Sequence, residues 1–113
     1  MAKIRKLKIR WNSSPSPHVV CYKLYWSVGG RVGYESEHAE VGKNTEVTLP
    51  DDVTSFPFIE GIVEFGVTAV TETGNESDMT TLMTPLQFTA PEAPIELAAE
   101  SLLDFWFSSN PFH

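Results

Sequence analysis

A single cysteine, Cys21, is the only thiol in this chain of 113 residues. No intramolecular disulfide can form, and the fold must be held by packing. Histidine is equally sparse. His18, His38 and His113 are scattered, without the paired spacing or the neighbouring cysteine pair that a zinc site requires. No uninterrupted apolar run approaches the ~18 residues of a membrane-crossing helix. There is no glycine-rich phosphate loop, nucleophile elbow or histidine-centred catalytic arrangement. Glutamates are plentiful, but a paired-carboxylate hydrolase needs a cleft, and a chain of this size has few residues to build one. No catalytic residue, metal, cofactor or small-molecule substrate is therefore expected.

Positive charge is scarce beyond the start. The formal net charge is -7, from 8 Lys and Arg against 15 Asp and Glu. Lys3, Arg5, Lys6, Lys8 and Arg10 account for most of the basic residues, so the body is strongly acidic. An acidic body repels phosphate backbones, which argues against a nucleic-acid partner. The basic start is like the first segment of a signal peptide, but neither an apolar stretch nor a small-residue cleavage site follows it. No signal peptide is recognised.

What the chain does contain is enough for one packed domain, since about 110 residues bury roughly 60–70% of their unfolded surface. Apolar residues make up 42%, aromatic 12% and charged 20%, the balance of a globular protein. Period-2 alternation dominates its pattern. Lys6, Lys8 and Arg10 alternate with Leu7, Ile9 and Trp11, which predicts a strand with one wet and one buried face. Its lysines suit an exposed edge that resists aggregation and are also candidates for a contact with an acidic partner. A Ser-Pro loop follows at 12–17.

Val19 to Trp26 predicts a second strand with Tyr22, Leu24 and Trp26 on one face. Tyr34 to Val41 is polar and glutamate-rich, as suits a sheet edge. Thr45 to Leu49 alternates again and stops at Pro50-Asp51-Asp52. That acidic pair reads as turn chemistry, because the further carboxylates of a calcium loop are missing. After an apolar loop with Phe56, Phe58 and Ile59 comes the strongest strand. Val63, Phe65, Val67 and Ala69 fall on one face and Glu64, Gly66 and Thr68 on the other, predicting half burial. A turn at Gly74-Asn75-Glu76-Ser77 leads to a last strand between Met79 and Thr89. Short strands separated by turn signals indicate an all-β antiparallel sandwich.

Four of these segments carry a resemblance to the fibronectin type III domain over about residues 5–90. They are Ile9-Arg10-Trp11 before the Ser-Pro loop, Tyr22-Lys23-Leu24-Tyr25-Trp26, Val47-Thr48-Leu49, and Phe65-Gly66-Val67-Thr68-Ala69-Val70 running to Gly74-Asn75-Glu76-Ser77. The resemblance implies that Trp11 is the core tryptophan of strand B, Tyr22 a core residue of strand C, and the Gly74 turn the passage from strand F to strand G. Two departures stand out. Val63 occupies the place of the family's aromatic two residues before Phe65, leaving Phe56 or Phe58 to replace it by packing. The family's strand A would precede Trp11 by well over ten residues, so it is short or missing and strand B is left with an open edge.

From Pro91 the pattern changes, which divides the chain into a sandwich at 1–90 and a proline-rich linker with an amphipathic tail at 91–113. Glu96, Glu100 and Asp104 recur at helical spacing opposite Ile95, Ala98, Ala99, Leu102, Phe105 and Trp106. This predicts a short C-terminal α-helix over Ile95 to Phe107. An isolated helix of that length is marginal in water, so it must dock, on its own sandwich or on a neighbouring subunit. The candidate partner-binding residues are Ile95, Leu102, Leu103, Phe105, Trp106, Phe107 and Phe112 in the tail, with Lys6, Lys8 and Arg10 on the open strand.

Together these readings lead to the expectation of a non-enzymatic structural subunit of a homo- or hetero-oligomeric protein assembly. A bacteriophage virion component or another assembled extracellular structure fits. The alternative is an extracellular or cell-surface binding or spacer module of a bacterial protein.

Overall fold

The computed structural model describes residues 3–57 and 59–101. Six antiparallel strands follow in chain order: β1 (Leu7–Arg10), β2 (Val19–Val28), β3 (Glu37–Glu40), β4 (Glu46–Leu49), β5 (Glu60–Thr71) and β6 (Thr80–Gln87). They form two sheets, a pair β1-β4 and a four-stranded sheet ordered β3-β2-β5-β6. This is a sandwich-like all-β fold, with no helix among the described residues.

The inward faces of the sheets meet in one core. Ile9 of β1 and Val47 and Leu49 of β4 are buried with Tyr22, Leu24 and Trp26 of β2 and Val63 and Phe65 of β5. Register explains the sharing of a face. Trp26 lies opposite Phe65 and Leu24 opposite Val67, so their side chains leave the sheet on the same side. Phe56, in the loop from β4 to β5, enters between the sheets. Its ring lies 4.9 Å from Trp26, 6.0 Å from Phe65 and 5.8 Å from Phe88. Phe56 is thus a core residue contributed by a loop; Phe58 lies outside the described residues.

Trp11 is half-buried at the border of the core and packs edge-on against Tyr22 at 5.8 Å. The Tyr22 hydroxyl accepts a hydrogen bond from the Ser14 backbone N–H at 2.9 Å, which ties the Ser-Pro loop to the sandwich. Asp51 pairs with Lys6 at 2.6 Å. The Asp52 carboxylate accepts the Thr48 N–H at 2.7 Å, the side-chain-to-backbone bond of a turn.

Two expectations need correction. First, β5 is buried on both faces, with Glu64 and Thr68 as inaccessible as Phe65 and Ala69. Its outer face is roofed by the loop from β2 to β3 and the turn from β5 to β6. Gly66 shows how tight the roof is, because a Cβ there would overlap the Met79 side chain and press on Val32. Gly66→Val should therefore lower stability by about 1–3 kcal/mol through overpacking, read as a lower urea midpoint at an unchanged slope.

Second, the helix expected over Ile95 to Phe107 is absent from 95–101, which have no regular structure and lie exposed. Ile95 is 89% exposed, Leu97 fully so, and Glu96 has a left-handed φ of 58° that no α-helix admits. With no surface to dock on, the apolar stripe has nothing to repay helix nucleation. Residues 102–107 lie outside the described residues.

Candidate interaction surface

β1 is bonded to β4 on one side only. The Trp11 N–H donates to Thr45 O at 2.9 Å, and Ile9 faces Val47 and Leu7 faces Leu49 in the same register. Antiparallel bonding engages alternate residues, so the backbone groups of Lys8 and Arg10 point away from β4. Neither has a backbone partner among the described residues.

Beyond that edge the opposing sheet continues to β6, whose Leu86 is buried in the core while the stretch about Leu82 is left open. Leu82 sits opposite Phe65 and so shares its inward face, yet it is 54% exposed. A cavity of about 550 Å³ opens at one end of this gap, lined in part by Arg10, Trp11, Tyr22, Val67 and Thr80. Another of about 550 Å³ opens at the other end, between Arg5–Lys8 and Thr84–Gln87. Trp11 Nε1 is itself buried and has no hydrogen-bond partner among the described residues. A buried indole N–H without an acceptor is uncommon and costly.

The rim is basic. Lys6, Lys8 and Arg10 are exposed on the outward face of β1. Lys6 is bridged to Asp51, and Lys8 lies 3.9 Å from Glu46; both pairs are about half exposed and hold their partners only weakly. Arg5 and Arg10 have no ion pair among the described residues. Of the tail candidates, Ile95 stands in solvent away from this gap. Leu102, Leu103, Phe105, Trp106, Phe107 and Phe112 lie outside the described residues.

Sequence reasoning missed a polar cluster on the roofed face of the larger sheet. Glu76, which reads as an ordinary turn residue, folds over β5. Its Oε2 accepts hydrogen bonds from the Tyr25 hydroxyl and, at 2.6 Å, from Thr68 Oγ1. Lys23 Nζ lies 3.6 Å from its Oε1. The turn is clamped further by two bonds between Ala69 and Ser77, both at 2.9 Å, and by the Tyr34 hydroxyl donating to Ser77 O at 2.7 Å.

Tyr25, on the face of β2 opposite Tyr22, Leu24 and Trp26, is buried as well, with His38 5.0 Å from its ring. Burial, and then the bond to Glu76, push its hydroxyl up to about 12. Burial alone would raise the Glu76 carboxyl, but the bonds from Thr68 and Tyr25 and the charge of Lys23 outweigh it and hold that carboxyl below its ordinary value. Nearby, Glu64 accepts the Val32 N–H at 2.7 Å, with Arg31 at 3.7 Å. Both carboxylates fasten loops to β5. The only sequence signal was three polar residues, Glu64, Thr68 and Glu76, around an otherwise apolar strand.

Comparison with known proteins adds nothing to this geometry: no family model, curated protein or solved structure matches the chain.

Proposed function

We propose that this chain is a non-enzymatic structural subunit of a larger protein assembly, built on a fibronectin type III-like sandwich without its first strand, and that it docks through the open edge of β1. The observation that carries this reading is the gap beside β1, where the outward backbone groups of Lys8 and Arg10 and the half-exposed Leu82 lie together. Each is satisfied at once by an added strand, the mode of recognition that open sheet edges serve.

The strand order supports the family reading. In immunoglobulin-like sandwiches strands C, F and G share one sheet, and B and E the other. With β1 as B, β2 as C, β4 as E, β5 as F and β6 as G, the pairs β1-β4 and β2-β5-β6 follow that arrangement. Strand A, which would border B, is without a counterpart among the described residues.

The chemistry of the polar cluster supports a non-enzymatic role. The Glu76 carboxylate is engaged by two hydroxyls and an ammonium group and binds a turn to a sheet. A bacteriophage virion is the setting we favour, since a small, disulfide-free sandwich with an open edge suits repetitive assembly.

The test is the mass of the full chain in solution across a wide concentration range, beside Lys8→Pro. Proline removes an N–H that faces away from β4, so it blocks the edge without breaking a β1-β4 bond. Self-association by the native chain and a folded, monomeric Lys8→Pro variant are expected. A native chain that stays monomeric throughout would overturn the reading and favour the spacer module instead.

A further inference from the structure

We propose that the added strand is the tail of a second copy: residues 95–101 of one chain pair with the open edge of β1 in its neighbour. This rests on the assembly reading above and names the occupant.

The tail has the pattern that the gap requires. Ile95, Leu97 and Ala99 alternate with Glu96, Ala98 and Glu100, so an extended tail presents an apolar and an acidic face. β1 has the matching alternation, with Leu7, Ile9 and Trp11 inward and Lys6, Lys8 and Arg10 outward. Aligned on Lys8 and Ala98, the two strands place Ile95, Leu97 and Ala99 toward the gap above Leu82. Their acidic residues match as well, because Glu96 and Glu100 have the same four-residue separation as Lys6 and Arg10. That holds whether the tail runs parallel or antiparallel to β1.

Length is sufficient. Seven extended residues span about 23 Å, against about 13 Å for the four of β1.

The structure favours a neighbour over the chain's own edge. Beyond Ala90 the tail leaves its own sandwich, and from Pro91 to Ser101 every residue is exposed. Pro91 and Pro94 keep the intervening segment extended. In the unpaired tail Glu96 is held at φ 58°, a conformation unfavourable for an L-residue that strand pairing would replace by an extended one. Donation from each chain to the next is a head-to-tail contact, which builds rings or filaments rather than isolated dimers.

Disulfide trapping between full-length chains in a Cys21→Ser background tests the proposal. One protein carries Lys8→Cys, the other, distinguished by isotope label, carries Ala98→Cys, and the two are mixed and oxidised. Paired strands hold such positions within disulfide reach. The mixed disulfide should form well above its statistical proportion and should fall to that proportion when the donor also carries Ile95→Glu and Leu97→Glu. A statistical mixture from the start would overturn the proposal. So would a Lys8→Cys/Ala98→Cys double variant that closes within one chain at high dilution, which would place the tail on its own edge. If trapping fails while the native chain still assembles and Lys8→Pro still abolishes that assembly, the occupant is wrong and the open-edge reading stands. A native chain that never assembles removes both.

Discussion

Phe56→Ala should be the most damaging single change to the fold, costing about 3–5 kcal/mol. Phe56 belongs to no strand, yet it is buried among Trp26, Phe65 and Phe88, touching three rings that come from β2, β5 and the end of β6. Truncation opens a ring-sized void in a core whose smaller sheet has only two short strands, so little remains to collapse into it. The aromatic pairs contribute beyond their buried area, by about 0.5–1.5 kcal/mol each. Against a domain stability of about 5–15 kcal/mol, that loss is a large share of the total and should lower the urea midpoint markedly. Urea denaturation followed by tryptophan fluorescence measures this. Phe56→Leu, which keeps most of the volume, should recover the larger part; equal losses from both variants would show that the loop is held by its backbone instead.

Glu76→Ala should cost about 2–4 kcal/mol, because it leaves the buried hydroxyls of Tyr25 and Thr68 without an acceptor and Lys23 without its partner. The same cluster sets two limbs of pH dependence. Glu76 has a depressed carboxyl in the folded state, so its contribution is complete above the ordinary carboxylate value of about 4.3. It is lost as pH falls through the lower, folded value. Tyr25 is shifted the other way, from 10.0 to about 12. Its contribution is complete below about 10 and is lost as pH rises from there through the folded value. Stability should therefore be level between about pH 5 and 9, with an acid and an alkaline decline. Tyr25→Phe should reduce the alkaline decline, and Glu76→Gln the acid one. Thermal melts across pH measure both, and an alkaline limb unchanged in Tyr25→Phe would locate that titration elsewhere.

These effects rest on residues that differ in how plainly the sequence announced them. The inward faces were legible. Tyr22, Leu24 and Trp26, and Val63 and Phe65, alternate strictly, and an antiparallel sheet imposes the same period of two on burial. The polar edge strand was legible for the same reason, since β3 with its glutamates does lie at the border of the larger sheet. Glu64 and Thr68 were misread as solvent-facing because a polar residue on the second face of a strand has the same pattern whether water or a loop covers it. The tail was misread because Ile95 to Ser101 satisfies two periods. At helical spacing it shows an acidic stripe, and at alternate positions Ile95, Leu97 and Ala99 face one way.

By itself, then, the sequence determined where the strands run and which face of β1, β2, β4 and β5 turns inward. These follow from local alternation. Only the tertiary structure decided that Glu76 reaches back to Tyr25 and Thr68, that Phe56 enters the core, and that Leu82 is left half-exposed beside β1. Those facts depend on where two loops and two sheets come to lie against one another. That is a matter of long-range packing, in which residues about fifty positions apart meet and no local period records the meeting.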